Sequence, residues 1–378
     1  MRIYFDNAAT TAIDPRVIEE MLEVMKTSYG NPSSIHAHGR EVRTLVEKAR
    51  KTVAHLLHTS PAEIFFTSGG TEADNMAIRQ AVADCKVRRI ISSPIEHHAV
   101  LHTIEQLERT HQVEVVLLPV DAKGNVDLDE LETRLKDSVP TLVSLMHANN
   151  EIGTLLDVKR VSELCQQYEA LFHCDTVQTM GHYPLDLSQI HIDFATCAAH
   201  KLHGPKGVGF LYVNGAVKIS PLLYGGAQER NMRGGTENVY GIVGLAKALE
   251  IAYGDIEAHG KQIQDLKSYM VEALKQAIPE CQIHGETDPD KSLYTVLNVC
   301  FPEMDMGDML LFNLDIAGIS ASGGSACSSG SNIGSHVLSA IGSDAGRPSV
   351  RFSFSKYNTR EEVDQVVAAL HQLCLQGA

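Results

Sequence analysis

The hydrophobic pattern between residues 89 and 213 predicts strands that alternate with helices. Strand-length apolar runs occupy residues 89–92, 113–120, 141–146, 170–174, 193–196 and 208–213. Helix-like segments lie between them at 99–110, 127–136 and 158–168. This alternation is typical of an α/β fold with a mostly parallel central sheet and helices on both faces. The last two runs are too close in sequence for a crossover helix, so we expect those two strands to be antiparallel.

The pattern changes after residue 255. A long amphipathic helix at 256–278 is followed by strand-like and helical segments at 294–301, 306–316, 350–354 and 360–375. This order is typical of a smaller α+β domain, and no long polar linker separates it from the first part. We therefore predict a large domain of residues 16–255 and a small domain of residues 1–15 with 256–378.

Composition and charge narrow the range of functions. The chain has 378 residues and a formal net charge of −15, which disfavours binding to nucleic acid or to an anionic membrane. No apolar run reaches the roughly 18–20 residues that span a bilayer, and the N-terminus does not resemble a secretory signal. We expect a cytoplasmic protein. Its eight cysteines form no CxxC pair and predict neither a metal site nor a disulfide framework.

A lysine among small residues, Lys201, follows a strand that ends in Asp175. A lysine amine can form a Schiff base with the aldehyde of pyridoxal phosphate, and a carboxylate can keep the pyridine nitrogen protonated. These two residues predict a pyridoxal phosphate enzyme that acts on amino acids or related amines.

Three further segments have residues suited to this cofactor. Residues 67–75 follow a strand and open a helix, so we assign Gly70 and Thr71 to the cofactor phosphate, although a simple capped turn has the same pattern. His97 follows a strand, where an imidazole can stack on a pyridine ring and move protons, or can be an ordinary polar residue. Asn149 is either part of a turn or a donor to the phenolate oxygen of the cofactor.

Two segments near the C-terminus suggest a nucleophile and a substrate-binding residue. Residues 319–331 are rich in glycine, serine and alanine around Cys327, which predicts a mobile loop with a reactive thiol. The alternative is a flexible surface loop whose cysteine has no role. Arg351 lies in a strand-like run, where an arginine can bind a carboxylate bidentately or can simply be solvated.

Together these segments resemble the cysteine desulfurases, which are pyridoxal phosphate enzymes of aminotransferase class V. The resemblance extends from Tyr4 to the C-terminal helix, and the cysteine-containing segment is similar to that of the NifS/IscS-like group. The residues that carry it are 4–11, 30–34, 67–75, 96–97, 149–153, 175–178, 199–207, 225–238 and 322–330. It implies the fold type I of pyridoxal phosphate-dependent transferases.

The resemblance also implies a role for each candidate residue. The cofactor would be bound by Gly70, Thr71, His97, Asn149, Asp175, Gln178, His200 and Lys201, and by Thr236 from a partner subunit. Within this set Thr71, His200 and Thr236 would contact the phosphate, and His97 would stack on the ring. Asn149 and Arg351 would bind the substrate, and Lys201, Cys327 and His97 would be catalytic.

The implied reaction converts L-cysteine into L-alanine and leaves the sulfur on Cys327 as a persulfide. A homodimer and a sulfur acceptor, such as an iron–sulfur scaffold or a tRNA-thiolation protein, are the implied partners. A selenocysteine lyase, a class V aminotransferase and an inactive protein of the same fold are the alternatives. Ala198 departs from the family, which has a phosphate-binding serine there, and the lost hydrogen bond costs about 1 kcal/mol. The residues after Arg351 also lack the usual glycine.

Overall fold

The strands of the computed structural model form three sheets, and helices pack against them. The structure describes residues 2–111, 113–304, 307–323, 334–344 and 346–376. In this part of the chain the strands are β1 (Ile3–Tyr4), β2 (Ile64–Thr67), β3 (Arg89–Ser92), β4 (Glu114–Leu117), β5 (Thr141–Met146), β6 (Leu171–Asp175), β7 (Phe194–Ala198), β8 (Gly209–Val213), β9 (Gln282–His284), β10 (Val296–Cys300), β11 (Ile319–Ser320) and β12 (Ser349–Ser353). The helices are α1 (Pro15–Thr27), α2 (Ala37–Leu56), α3 (Gly70–Asp84), α4 (His98–His111), α5 (Leu128–Leu135), α6 (Val158–Gln167), α7 (Val239–Gly254), α8 (Ile256–Ala277), α9 (Leu310–Ile316), α10 (His336–Ala340) and α11 (Arg360–Gln376).

The largest sheet has the strand order β2-β8-β7-β6-β5-β3-β4. The pairs from β7 to β4 are parallel, whereas β8 is antiparallel to both of its neighbours. This confirms the predicted mostly parallel sheet and the predicted antiparallel pair at its end. Because β3, β5 and β6 are parallel, their carboxyl ends meet at one edge, where ligands bind in open α/β sheets.

Neighbouring residues of this sheet belong to two different cores, one on each face. Ile91 and Val143 pack with α2, α6 and α7, whereas Ile90 and Leu142 pack with α3 and α4. Side chains alternate between the faces of a strand, so this division places helices on both sides, as predicted.

Three helices of the large domain were not predicted: α1, α2 and α7. Helix α7 is apolar almost all round, and its buried residues contact both α1 and α2. A helix buried on every side has no single apolar face, so the periodicity of its sequence gives little signal.

The C-terminal part has its own sheet and core. The antiparallel sheet β12-β10-β9 packs against α8 and α11 through a separate apolar cluster. The parallel pairing of β1 with β11 places Ile3 and Phe5 in this same cluster. These separate cores support the predicted division into residues 16–255 and residues 1–15 with 256–378, which we retain as a proposal. None of the described helices is long and apolar enough to cross a membrane.

Candidate active site

A cavity of about 250 Å³ opens beside the carboxyl ends of β5 and β6. It brings together most of the residues that the sequence singles out, and these residues come from both parts of the chain. They are Gly70, Thr71, His97, Asp175, Gln178, His200, Lys201 and Arg351. The N-terminal segment closes one side of it through Ala8 and Ala9.

Lys201 ends a short 3₁₀ helix, Ala199–Lys201, that directly follows β7. Its Nζ donates hydrogen bonds to the carbonyl oxygens of Ala8 and Ala9, the second at 2.9 Å. The Nε2 atom of Gln178 donates to the same Ala8 oxygen at 3.1 Å. The lysine amine is therefore held in the cavity by the backbone of the N-terminal segment.

Asp175 is the last residue of β6 and is buried. Its Oδ1 accepts hydrogen bonds from the amide of Val177 at 2.9 Å and from the hydroxyl of Thr196 at 3.4 Å. Burial raises the pKa of Asp175 to about 6. Since both hydrogen bonds go to Oδ1, Oδ2 is the atom that can accept a donor from the cavity.

His97 lies directly before α4, and its ring is oriented by the backbone. The amide of Ala99 donates to Nδ1 at 3.1 Å, so the neutral imidazole carries its proton on Nε2. Burial lowers the pKa of His97, and the charge of Lys201 adds to this effect although Asp175 opposes it. The structure therefore favours a neutral imidazole with a donor at Nε2.

The first turn of α3 lines the cavity and is suited to binding an anion. Gly70 and Thr71 are its first two residues, where backbone N–H groups have no partner within the helix. A Cβ atom on Gly70 would lie 2.8 Å from Cγ2 of Val177, so only glycine lets the helix approach this closely. On the other side, burial lowers the pKa of His200 to about 4, and its Nδ1 lies 3.3 Å from the hydroxyl of Thr10.

Arg351 lies on β12 and is almost fully buried, with 1% of its surface exposed. Its Nη1 donates to the carbonyl of Asn150 at 2.9 Å, and its Nη2 donates to Asp6 Oδ1 and Ser322 Oγ, both at 3.0 Å. Its Nε has no hydrogen-bond partner among the described residues. These bonds use three of the five N–H donors, and a rigidly held guanidinium with two donors left over is suited to binding a carboxylate.

These donors fit pyridoxal phosphate. The helix N-terminus and a neutral histidine suit the phosphate, a buried carboxylate suits a protonated pyridine nitrogen, and the lysine amine suits the aldehyde. Ala198 contributes only a methyl group, which would lie 3.8 Å from a Cβ atom on Gly70. The phosphate corner thus lacks the hydroxyl that the family has there, but the other donors remain.

Comparison with known proteins agrees with this geometry. Residues 3–366 match the family described as aminotransferase class-V. The chain belongs to this family of pyridoxal phosphate enzymes. It is 44% identical over 367 residues to the putative cysteine desulfurase IscS 1 of Bacillus subtilis (strain 168), with 96% of each chain covered. It is also 44% identical over 375 residues to the cysteine desulfurase IscS of Methanosarcina thermophila, covering 98% of this chain and 91% of that one.

Solved structures of similar proteins share the fold. One described as a NifS-like protein superposes with a TM-score of 0.91 at 41% identity, and all of both chains is covered. The apo structure of a cysteine desulfurase from Thermococcus onnurineus NA1 gives a TM-score of 0.89 at 25% identity, covering 99% of this chain and 95% of that one. The predicted family, fold type and cofactor are confirmed.

The side chain of Asn149 does not line the cavity that contains Lys201 and Asp175. Its Nδ2 donates to the carbonyl of Ile95 at 2.8 Å, and its Oδ1 accepts from the amides of Glu151 and Ile152 at 2.8 and 3.0 Å. Because these bonds occupy the amide, Asn149 stabilises the turn after β5, and its neighbour Asn150 lines the cavity instead.

Two other predicted residues are not placed at the cavity of this chain. Thr236 is exposed and lines a separate pocket with Thr67 and Arg233. Cys327 lies outside the described residues.

Three buried groups at or beside this cavity, Asp74, Glu96 and His173, have no role assigned from the sequence, and Asp74 lines the cavity itself. Glu96 accepts hydrogen bonds from Ser93 at 2.8 Å and from the amide of Met146 at 3.1 Å, and burial raises its pKa to about 8. The available signal was the position of these polar residues on apolar faces, since Asp74 falls among the core positions of α3 and His173 lies within a buried strand.

Proposed function

We propose that the chain is a cysteine desulfurase that converts L-cysteine into L-alanine and transfers the sulfur to Cys327. The observation that carries this proposal is the single cavity in which Lys201, Asp175, His97 and Arg351 meet. The identity of 44% with proteins named cysteine desulfurases supports the same reaction.

Different residues of the cavity would bind different parts of the cofactor. Lys201 would bind it covalently, Asp175 would accept the pyridine N–H at Oδ2, and the first turn of α3 with His200 would bind the phosphate. Gln178, whose Nε2 is 3.1 Å from the Ala8 carbonyl, is within reach of the phenolate side. When bound, the cofactor withdraws electrons from the substrate and so weakens its Cα–H bond and then its Cβ–Sγ bond.

Arg351 would orient the substrate through its carboxylate. A substrate carboxylate can replace Asp6 at Nη2, where the present distance is 3.0 Å, whereas Nε is buried and has no partner among the described residues. This exchange keeps the buried guanidinium paired before and after binding.

Lys201 and His97 would move the protons. Lys201 takes the proton from the substrate Cα, since its amine is the base that the Ala8 and Ala9 carbonyls hold in the cavity. His97 holds its proton at Nε2 because Nδ1 accepts from the amide of Ala99, so it can supply a proton to the carbon skeleton when the Cβ–Sγ bond breaks.

Cys327 would be the sulfur acceptor. Its thiolate attacks the substrate Sγ, the Cβ–Sγ bond breaks, and its electrons stay on the carbon skeleton, which gains protons to become alanine. The described residues on both sides of its segment contact neighbours of the cavity residues. Ser322 donates to Asp6, which pairs with Arg351, and His336 Nε2 lies 2.9 Å from the carbonyl of Glu96, next to His97.

The active enzyme would be a homodimer that exchanges Thr236 between subunits. Thr236 is exposed and outside the cavity of its own chain, which supports a role in a second copy. Helix α1 presents a stripe of exposed apolar residues, Ile18, Leu22 and Met25, that a partner would cover.

The persulfide requires a thiol-containing acceptor. We propose a protein acceptor such as an iron–sulfur scaffold, since a protein-bound persulfide is transferred by thiol exchange. We also propose a cytoplasmic location, which the free thiols of all seven described cysteines support.

The proposal is tested by incubating the purified holoenzyme with L-cysteine and a reductant. Equal amounts of alanine and sulfide are expected, and Lys201→Ala should abolish both and remove the colour of the bound cofactor. Lys206→Ala, which changes an exposed lysine of the same segment, is the control. Alanine formation by the Lys201→Ala enzyme, or a requirement for a keto acid as in an aminotransferase, would refute the assignment.

A further inference from the structure

Asp74 and His173 form a buried pair beside Asp175, and Asp74 lines the same cavity as Asp175. Asp74 is 1% exposed and His173 is fully buried. Oδ1 of Asp74 lies 3.4 Å from Nε2 of His173, and neither atom has a hydrogen-bond partner elsewhere in the described residues. The two atoms face each other, so a proton between them would satisfy both.

The ring proton of His173 can lie on either of the two ring nitrogens. Its Nδ1 lies 2.8 Å from the hydroxyl oxygen of Ser144, whose strand β5 pairs with β6. If Nδ1 donates to this hydroxyl, the neutral ring has an acceptor at Nε2. The acceptor needs a donor, and Asp74 is a donor only as the neutral carboxylic acid.

The charges around the pair favour the same arrangement. Burial raises the pKa of Asp74, against an opposing hydrogen bond from Thr196, and burial lowers the pKa of His173, against the charge of Asp175. The other titratable groups that line the same cavity as Asp74 are His97, His200, Lys201 and Arg351, and the charge of Asp74 also acts on Glu96. A carboxylate here would be a buried negative charge beside Asp175, which is energetically costly.

We propose that Asp74 is held as the neutral acid, donates its proton to Nε2 of His173, and thereby acts as a positioning residue for Asp175. His173 and Asp175 are two residues apart on β6, so their side chains lie on the same face of the sheet. Thr196 lies opposite Asp175 in the register, and its hydroxyl interacts with both aspartates. A charge on Asp74 would raise the pKa of Asp175, so a neutral Asp74 keeps Asp175 ionised for the cofactor nitrogen. The proposal rests on the proposed cofactor role of Asp175.

The protonation state is measured in the enzyme without its cofactor, so that the result does not depend on the reaction. Infrared difference spectra of wild type against D74N, recorded near neutral pH, should show the carbonyl band of a protonated carboxylic acid that the variant lacks. E96Q is the matched control because Glu96 is a second buried acid, and it should remove a different band. Absence of an Asp74 band would overturn the proposal even if the chain is a desulfurase.

The positioning role is measured by comparing D74N with D74V in the holoenzyme. Asn keeps a donor for Nε2 of His173, so D74N should retain the cofactor affinity and the acid limb of the kcat/KM pH profile. Val leaves Nε2 unpaired, so D74V should weaken cofactor binding about tenfold and shift the acid limb. Equal losses in both variants would show that Asp74 acts as a charge, and no change in D74V would show that the hydrogen bond has no role. If D74V does not fold, the infrared band and the D74N profile still decide the question.

Discussion

Buried carboxyl groups are concentrated around the cofactor cavity, and they determine how the protein responds to pH. Burial raises the pKa of Asp74, Glu96 and Asp175 because it disfavours their charged forms. The folded protein therefore keeps protons that the unfolded chain has already released. Stability of the apoenzyme is expected to decrease as the pH rises.

Glu96 allows this pH dependence to be tested. Its folded pKa of about 8 lies above its ordinary value of 4.5, so its contribution to stability is complete below pH 4.5 and is lost as the pH rises through about 8. Glu96→Gln should reduce this loss of unfolding free energy by on the order of 3 kcal/mol, measured by urea unfolding at both ends of the range. The exposed Glu108→Gln is the control. An unchanged pH dependence in Glu96→Gln would refute the interpretation.

Arg351 provides a second test at the scale of the residue. Arg351→Lys keeps the charge but loses the planar set of donors that now contacts Asn150, Asp6 and Ser322. We expect kcat/KM for L-cysteine to fall by about tenfold or more, chiefly through KM. Arg347→Lys is the matched control, since the hydrogen bonds of Arg347 within the described part of the chain go to the backbone carbonyls of Phe301 and Glu280. A similar loss in both variants would contradict a substrate role for Arg351.

At the scale of the element, the close approach of α3 to the cavity depends on residue 70 being a glycine, which has no side chain. A Cβ atom on Gly70 would contact Val177 at 2.8 Å, and relieving that contact would move the anion-binding turn. Gly70→Ala should weaken pyridoxal phosphate binding by about tenfold, measured by fluorescence titration, whereas Val177→Ala added to it should restore much of the affinity. If Val177→Ala restores nothing, the turn does not depend on this contact.

The elements that could be predicted from the sequence are those whose hydrophobic pattern is visible within one short segment. The strand at Thr141–Met146 was predicted with its exact bounds because it is a short apolar run between polar segments. Helix α7 was missed because it is apolar on nearly every side. The motifs predicted which residues meet at the cavity, but not that Asn149 would use its amide on the backbone of the next turn. Nor did they predict that Asp74 and His173 would face each other, since that contact depends on how α3 packs on the sheet.

At the scale of the whole molecule, the proposed dimer makes each cavity depend on two chains. Thr236→Ala should weaken cofactor binding by about tenfold through the loss of a phosphate contact. Leu22→Asp, in the exposed stripe of α1, should give a monomer by light scattering and weaken the cofactor further. Phe312→Asp is the control, because Phe312 is exposed on α9, outside the stripe.

Mixing two impaired variants tests the exchange of Thr236 directly. In a mixed dimer of Thr236→Ala and Lys201→Ala subunits, the subunit with an intact Lys201 receives an intact Thr236 from the other. Cofactor affinity at that site should return to the wild-type value. If it stays low, Thr236 does not act in the partner subunit.

The central claim is that the cavity passes sulfur from L-cysteine to Cys327. It is tested most directly by mass spectrometry of the holoenzyme after incubation with L-cysteine in the absence of reductant. The predicted result is one added sulfur atom on Cys327, none on the partly exposed Cys85 or Cys374, and no alanine formation by Cys327→Ser. Added sulfur on another cysteine, or undiminished alanine formation by Cys327→Ser, would contradict the claim.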